Sequence, residues 1–482
     1  LILSYSDTNA KGEGISPAYL IGSIRSLYPK LEIEGGGVRP HKNSINNYCY
    51  PENPEAGIDL FLEKLVQETE KEHEDILEQA DETDAVFGEL YSWYLRNPEY
   101  RSRVQKLVQS AFAGKPKDII SQSVAKALYG EVSPYSATRL ERFAACAFAH
   151  FLQYGMKLTE RVEYEFKPMD MGNVMHEALE SFAEEVRKRG MKWTELTEQE
   201  RNEIADRCLD NIVADYGNTV LKSSARNEYM IERTRRILRR TVWALQKQLE
   251  QGEFQPEGFE VTFGGGRIDR VDIMEDQNKV YVKVIDYKTG NTSFDLVYLY
   301  HGLQLQLMIY LDGALRVEQK KYPDKEIIPA GVFYYNIKDP MIQEKIDADV
   351  EAVSAGLMKE LKMNGLVQAD PELVYRMDSS LGSIPVAFNK DGSFRKNSSV
   401  ADRTQFAVLG RYVRTKIEKI RSSILEGDAE VSPYELGKKN ACTYCPYMTV
   451  CGFDRRLSGY EFRRLKNFSD EELWKAFDRE AE

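Results

Sequence analysis

Two aspartates and a lysine in the middle of the chain have the types and spacing needed for metal-assisted hydrolysis. Asp269 lies in the run GRIDRVD at 266–272, and Asp286 and Lys288 end the run VYVKVIDYK at 280–288. Carboxylate oxygens suit a hard cation such as Mg²⁺, which lowers the pKa of a bound water and neutralises charge on a phosphodiester. A lysine can orient that water or offset developing negative charge. These three residues predict a hydrolytic metal site.

A β-hairpin would bring the three residues together. The two runs are joined by a short polar turn, so we expect antiparallel strands. Side chains alternate along a strand, which places Asp286 and Lys288 on one face. With the turn centred near Gln277, Asp269 is expected opposite Ile285 and beside Asp286, unless a bulge shifts the register. The alternative is an ordinary ion pair on a solvent-facing hairpin.

Three further polar residues lie on predicted helices. His176 follows Gly172 by one helical turn, so the helix surface beside the imidazole is bare and a ligand or DNA backbone could approach it. Gln306 and Tyr310 share one face of a helix predicted over 297–315. Taken alone, a histidine such as His176 is more often structural than functional. Packing or surface polarity explains Gln306 and Tyr310 equally well.

The cysteines form a second candidate site. Three of the six have the spacing Cys442-x2-Cys445-x5-Cys451, which in a reducing compartment favours metal binding over disulfides. The best candidate for a fourth ligand is Cys146. Four thiolates can hold a [4Fe-4S] cluster or a structural zinc, and spacing does not decide between them. His150 as the fourth ligand would favour zinc.

Length and composition are those of a globular protein. The chain has 482 residues, of which 42% are hydrophobic and 29% charged, so it is long enough for roughly three domains. It has no stretch of roughly 20 apolar residues and no signal-peptide pattern at its start, which predicts a soluble, cytoplasmic protein without membrane contacts. The formal net charge of -12 argues against non-specific coating of nucleic acid but not against a local basic channel.

The order of the predicted elements indicates an α+β protein with two regions. Residues 1–132 are predicted to be mostly helical, with a short strand over 2–5. Helices and strands alternate over 133–482, beginning with a helix over 137–154 and a strand over 158–166. Two long charged helices are expected within 197–250, a polar loop over 378–402, and an amphipathic helix over 405–425. Because residue 1 is Leu, we interpret the chain as a possible C-terminal part of something longer.

Five arginines lie close together on one predicted helix, and they could follow a phosphate backbone. A solvated helix face or a contact with a protein partner explains them equally well. They are Arg233, Arg235, Arg236, Arg239 and Arg240.

Taken in order, the motifs resemble those of the RecB-type nucleases of the PD-(D/E)XK superfamily. They are Gly172-x3-His176, the run 266–272, Asp286-Tyr-Lys288-Thr-Gly and Gln306-x3-Tyr310. One upstream cysteine with three C-terminal ones is similar to the iron-sulfur subgroup. Within it, residues 140–158 and the ending around the last three cysteines are most similar to the AddB family, which belongs to the bacterial AddAB ATP-dependent helicase/deoxyribonucleases. Ala147 is a departure, because related sequences usually have proline there.

The resemblance implies a restriction-endonuclease-like mixed sheet flanked by helices in 133–482. Residues 1–132 would be the end of a helicase-like domain. His176, Asp269 and Asp286 would bind Mg²⁺, with Lys288, Gln306 and Tyr310 completing the catalytic site. A [4Fe-4S] cluster would link the two ends of the nuclease domain, and its ligands would be Cys146, Cys442, Cys445 and Cys451.

The resemblance also implies an activity and partners. The chain would be a Mg²⁺-dependent deoxyribonuclease, an exonuclease that acts on duplex ends and single strands of DNA during recombinational repair. It would cut the 5′-ended strand and work with an AddA-like helicase-nuclease subunit. The sequence itself contains no G-x4-GK[ST] motif, so the chain is not expected to hydrolyse ATP.

The sequence leaves two other functions open. A stand-alone iron-sulfur exonuclease of the CRISPR-adaptation type carries similar motifs, but such proteins are far shorter than this chain. An inactive scaffold subunit that binds DNA ends would keep the cysteines as a structural unit. The presence of Asp269, Asp286 and Lys288 speaks against the scaffold.

Overall fold

The fold divides into two compact units, Leu1–Ala113 and Gly114–Glu482. The predicted strand at 2–5 and most of the one predicted at 158–166 lie outside the described residues. A computed structural model describes residues 19–29, 54–70, 82–111, 119–130, 136–159, 168–215, 224–264, 266–342, 349–457 and 459–481.

The described elements of the first unit are helices. They are α1 (Tyr19–Leu27), α2 (Pro54–Glu70), α3 (Glu82–Arg96) and α4 (Pro98–Ala111). Ile58, Phe61 and Leu65 of α2 are buried against Tyr94 of α3 and Val104 of α4. This apolar contact is the core of the first unit.

The second unit contains the remaining helices and all nine described strands. Its helices are α5 (Gln122–Tyr129), α6 (Ala137–Ala145), α7 (Ala147–His150) with a π-turn over Phe151–Gly155, α8 (Pro168–Lys188), α9 (Glu198–Asp215), α10 (Ala225–Glu250), α11 (Leu296–Tyr300), α12 (Gln306–Lys321), α13 (Val350–Glu360), α14 (Pro371–Met377), α15 (Arg403–Glu426), α16 (Met448–Cys451) and α17 (Asp470–Ala481). Its strands are β1 (Gln255–Phe263), β2 (Gly266–Asp276), β3 (Lys279–Lys288), β4 (Glu326–Asn336), β5 (Asn364–Gln368), β6 (Val400–Ala401), β7 (Tyr434–Leu436), β8 (Lys439–Asn440) and β9 (Arg463–Arg464).

Six of the strands form a mixed sheet in the order β1-β2-β3-β4-β5-β6. Strands β3 and β4 are parallel, and α11 and α12 lie in the crossover that parallel strands require. Helices α8, α9 and α10 bury their apolar sides on one face, and α5, α6, α12, α15 and α17 pack on the other. The predicted mixed sheet flanked by helices is confirmed.

Two helices predicted as continuous are broken, both beside candidate site residues. The helix predicted over 137–154 is interrupted at Cys146, which has an extended backbone with φ -165° and ψ 119°. The helix predicted over 297–315 is interrupted at 301–305, where Gly302 has φ +79°. A tertiary contact overrides helical periodicity at the first break, because Phe148 after that break donates its N–H to the carbonyl of Glu430.

Helix α5 packs with the second unit, whereas our boundary at 132/133 placed it in the first region. Ala125 and Tyr129 of α5 are buried in the core shared with α6 and α15. Ile120, just before α5, donates its N–H to the carbonyl of Gly427 at the end of α15. The division between the units therefore precedes α5.

Replacing Gly427 by Ala is expected to lower the free energy of unfolding by about 2 kcal/mol or more. Gly427 has φ +92°, and a Cβ atom there would lie 2.0 Å from the carbonyl oxygen of Ile120. Gly392→Ala is the matched control, because Gly392 has φ +82° with nothing within 4 Å and should show the conformational cost alone. Urea unfolding of both variants measures the difference, and equal losses would contradict the steric argument.

Candidate functional site

Carboxyl-bearing residues occupy matching positions on three adjacent strands. The pairing of β1 with β2 places Glu260 opposite Asp269, and the pairing of β2 with β3 places Asp269 opposite Asp286. The predicted register, with Asp269 opposite Ile285, is wrong by one residue. The turn between β2 and β3 contains two residues rather than a single central one, so every cross-strand pair of β2 and β3 shifts by one residue. The result is a row of three carboxyl groups across the sheet, which we call the carboxylate row.

Helix α8 brings His176 to this row. Its Nδ1 atom lies 3.4 Å from Oδ2 of Asp269 and 3.9 Å from Oε1 of Glu260. The backbone N–H of Tyr287 donates to the same Asp269 oxygen over 2.7 Å, which fixes that carboxylate beside Asp286. Ligand atoms of His176, Glu260 and Asp269 all lie within 4.8 Å of one another. One imidazole and two carboxylates therefore converge on a common point.

Glu260 belongs to this site although the sequence pattern did not identify it. Its backbone has φ +48° within β1, a left-handed conformation that residues other than glycine seldom adopt and that often marks a functional site. Its carboxylate also forms an ion pair with Arg267. The position of Glu260 depends on the β1–β2 register, which shifts at a bulge between Pro256 and Gly258. A sequence pattern cannot locate such a bulge.

The carboxylate row is electrostatically crowded. Burial, followed by the charge of Asp269, raises the pKa of Glu260 to about 7, and the same two causes raise the pKa of Asp286. Burial opposes protonation of His176, but the neighbouring carboxylates outweigh it and raise the pKa of the imidazole. Such a donor set, acidic, partly buried and mutually repulsive, fits a divalent cation that would neutralise it.

Lys288 lies at the end of the carboxylate row and is held by helix α12. Its Nζ atom is 2.6 Å from Oδ2 of Asp286 and donates to Oε1 of Gln306 over 2.8 Å. The amide of Gln306 donates in turn to the hydroxyl of Tyr310 over 2.9 Å. Burial raises the pKa of Tyr310 to about 12, so the phenol stays protonated near neutral pH. The structure thus brings all six predicted catalytic-site residues together.

The bare helix surface at Gly172 is occupied by the protein itself. A Cβ atom at Gly172 would lie 3.4 Å from Oγ1 of Thr289, the residue after Lys288. The glycine lets the loop that follows β3 approach α8. The expectation that a ligand could approach at this position is replaced by a packing role, and His176 reaches Asp269 beside it.

The four predicted cluster ligands line one pocket. Cys146 lies at the break between α6 and α7, and the other three belong to the segment after β8. The remaining lining residues are Phe148, Ala149, Val431, Pro433, Ala441, Tyr447, Met448 and Phe453. Burial, followed by the other three thiols, raises the pKa of Cys442 to about 11. Four thiols in a largely apolar pocket fit a group that binds thiolates.

His150 does not line this pocket. Its Nε2 atom accepts a hydrogen bond from Nε of Arg139 over 3.2 Å, and its ring packs against Tyr129, Phe143 and Tyr154. Burial, aided by the charge of Arg139, lowers the pKa of His150 to about 3. The alternative in which His150 completes a zinc site is therefore not supported by its position.

Four of the five clustered arginines on α10 form ion pairs with carboxylates. These pairs are Arg235–Asp206, Arg235–Asp210, Arg239–Asp206, Arg236–Asp339 and Arg240–Asp339. The carboxylates offset the positive charge and connect α10 to α9 and to the segment after β4. This arrangement favours a structural role for these arginines, and the phosphate-binding role stays a prediction.

Comparison with known proteins decides the family. A sequence profile of the PD-(D/E)XK nuclease superfamily matches residues 134–452. The chain belongs to the PD-(D/E)XK nuclease superfamily. The match spans every residue of the carboxylate row and all four cysteines of the pocket.

Relatives of this PD-(D/E)XK nuclease extend over the whole chain. They are B subunits of ATP-dependent helicase/deoxyribonucleases. The chain is 38% identical over 506 residues to the one from Lachnoclostridium phytofermentans, covering 100% of this chain and 42% of that protein. It is 30% identical to the one from Thermoanaerobacter sp. and 32% identical to the one from Alkaliphilus metalliredigens, covering 43% of each. The predicted resemblance to the AddB family is confirmed, and the chain spans less than half the length of these relatives.

Among the helices that the structure describes, none is both long and apolar enough to cross a bilayer.

Acidification is expected to destabilise the fold through His150. Between its unfolded pKa of 6.5 and its folded pKa of about 3, the unfolded chain binds a proton that the folded chain does not, so stability falls as pH falls. From pH 7.5 to 5.5 this single group should cost about 1.4 kcal/mol. His150→Gln should lose less stability than the parent over that interval in denaturant unfolding. Parallel pH profiles of the two proteins would refute the assignment.

Proposed function

We propose that this chain is the nuclease-bearing part of an AddB-like protein, a Mg²⁺-dependent deoxyribonuclease that degrades DNA from its ends. The observation that carries the proposal is the carboxylate row with His176 at one side and Lys288 at its end. Buried carboxyl groups that repel one another destabilise a fold unless a cation neutralises them. A protein that only binds DNA ends as a scaffold would gain nothing from this arrangement.

We assign the metal to His176, Asp269 and Asp286, with Glu260 as a further carboxylate beside them. A divalent cation held there would supply a water of lowered pKa and would neutralise charge on the scissile phosphate. Lys288 donates hydrogen bonds and is placed to orient the attacking water or to stabilise charge on a phosphate oxygen. Gln306 holds the ammonium group of Lys288.

The wider reaction is proposed from the relatives. They are named as B subunits of an ATP-dependent helicase/deoxyribonuclease, and this chain lacks a phosphate-binding G-x4-GK[ST] loop. A B subunit implies a second subunit, so an AddA-like partner would supply ATP-driven unwinding, and this chain would cut the 5′-ended strand during repair of double-strand ends in the cytoplasm. The first unit, Leu1–Ala113, would be the end of a helicase-like domain.

Asp286→Ala should lower Mg²⁺-dependent cleavage of linear DNA by about 100-fold or more, the scale of losing one strong electrostatic contribution. DNA affinity should change little, because phosphate contacts by basic residues dominate it. Asp324→Ala, at an exposed residue before β4, is the control and should cleave like the parent. Cleavage rates with and without EDTA measure the effect. Equal rates for Asp286→Ala and the parent would favour the inactive scaffold.

We also propose that Cys146, Cys442, Cys445 and Cys451 hold a [4Fe-4S] cluster. The four thiols line one pocket, and the resemblance to the iron-sulfur subgroup favours a cubane over a zinc ion. A ligand set drawn from both ends of the domain would restrict the unfolded chain strongly.

Protein purified anaerobically should be brown and contain about four irons and four sulfides per chain, as a Cys₄ cubane site requires. Cys146→Ala should lose that iron, together with stability and DNA binding, because binding energy needs all ligands at once. Cys208→Ala is the matched control, since Cys208 is buried on α9 outside the pocket. A colourless folded protein with one zinc would overturn the cluster, and a Cys146→Ala protein with full iron would overturn the fourth ligand.

A further inference from the structure

Helix α12, which carries Gln306 and Tyr310, begins without a cap of its own. Its N-cap residue is Leu305, which has no side-chain oxygen to accept the first backbone N–H groups. Instead, Oε1 of Glu141 accepts the N–H of Leu305 over 2.7 Å and the N–H of Gln306 over 3.0 Å. The cap therefore comes from α6, more than 160 residues earlier in the chain.

Several other helices of this domain use caps from the residue next to them. Asp402 accepts the N–H of Gln405 at the start of α15, and Asp349 accepts the N–H of Ala352 at the start of α13. A Ser or Asp at position 305 could accept the first backbone N–H groups of α12 in the same way. Glu141 must instead lose solvation, and this burial raises its pKa to about 7 although the two backbone N–H groups and Lys288 lower it. A local cap would stabilise α12 without that cost.

Glu141 acts on the first residue of the helix, and that residue also contacts the lysine of the site. Gln306 donates its backbone N–H to Glu141 and accepts a hydrogen bond from Lys288 on its side-chain oxygen. Lys288 is paired with Asp286. A displacement of the first turn of α12 would therefore move the acceptor that orients the lysine ammonium group.

The same short helix also borders the cysteine pocket. Helix α6 ends at Cys146, and Arg142, next to Glu141, places its guanidinium 5.9 Å from the ring centre of Tyr447. Arg142 also donates to Oε1 of Gln153 over 2.8 Å. Helix α6 is thus fixed by the pocket at one end while Glu141 contacts α12.

We propose that Glu141 is a positioning residue for DNA cleavage, which fixes the first turn of α12 so that Gln306 presents its amide oxygen to Lys288. The inference rests on the proposed nuclease function. It also gives the cysteine pocket a route to the active site, because α6, which supplies the cap, ends at the residue before Cys146.

Two conservative variants separate positioning from charge. Glu141→Gln keeps the length of the side chain and an oxygen acceptor, and its kcat for Mg²⁺-dependent cleavage should stay within about threefold of the parent. Glu141→Asp keeps the charge but is one methylene too short to reach Leu305, and its kcat should fall about 10- to 100-fold. KM for DNA should not change in either variant, because Glu141 does not touch substrate.

Asp402→Ala is the control for a purely structural effect. It removes the cap of α15, a helix that carries none of the residues assigned to the site, and should lower Tm without changing kcat. A second control combines Glu141→Asp with Gln306→Ala. If Glu141 acts through Gln306, the double variant should be no slower than Gln306→Ala alone.

The outcomes distinguish this inference from the function on which it rests. If the parent protein shows no metal-dependent cleavage, the proposed function fails. If the parent cleaves DNA and Glu141→Asp matches its kcat, or Glu141→Gln is as slow as Glu141→Asp, the positioning role is overturned. Full additivity in the double variant would likewise show that Glu141 does not act through Gln306. All variants are compared in the complete protein, with circular dichroism and Tm measured beside kcat and KM.

Discussion

Mutual repulsion among buried carboxyl groups is the constraint around which this domain is arranged. Glu260, Asp269 and Asp286 face one another across three strands, and water is too scarce there to screen them fully. Without its neighbours, such a row of carboxyl groups would take up protons or move apart. It persists because rigid neighbours hold it: the N–H of Tyr287 binds Asp269, and the sheet backbone fixes the spacing. Strain of this kind is retained where a cation is to be bound.

The supports of the row come from both faces of the sheet. Helix α8 brings an imidazole from one face, and α12 brings an amide that contacts Lys288 from the other. The opposite side of β2 is occupied by a buried ion pair between Arg270 and Asp272, with Lys283 close by. These charges satisfy one another within the core, so they neither compete for a cation nor disturb the row. The sheet therefore separates two groups of charges. Arg270, Asp272 and Lys283 neutralise one another, whereas the carboxylate row stays acidic.

The site residues that lie in short recognisable motifs could be predicted from the sequence. Those whose positions depend on the folded backbone could not. Asp269, Asp286 and Lys288 were predicted because their chemistry is visible in a short run. The register was wrong by one residue, because a turn of two residues and a turn with a central residue leave the same hydrophobic pattern. Glu260 was missed because a bulge precedes it, and Glu141 because capping from a distant helix leaves no local signal.

The cysteine pocket is closed by contacts between distant parts of the chain. The hydroxyl of Tyr447 donates to the carbonyl of Leu158 across 289 residues, and Arg463 binds the carbonyl of Ala144 across 319. Contacts so far apart in sequence form late, because the intervening chain must be ordered first. During synthesis on a ribosome, α6 and α7 must wait for almost the whole domain to be translated. Until then the apolar residues around Cys146 lack the segment that covers them in the folded domain, and apolar surface exposed in this way favours aggregation.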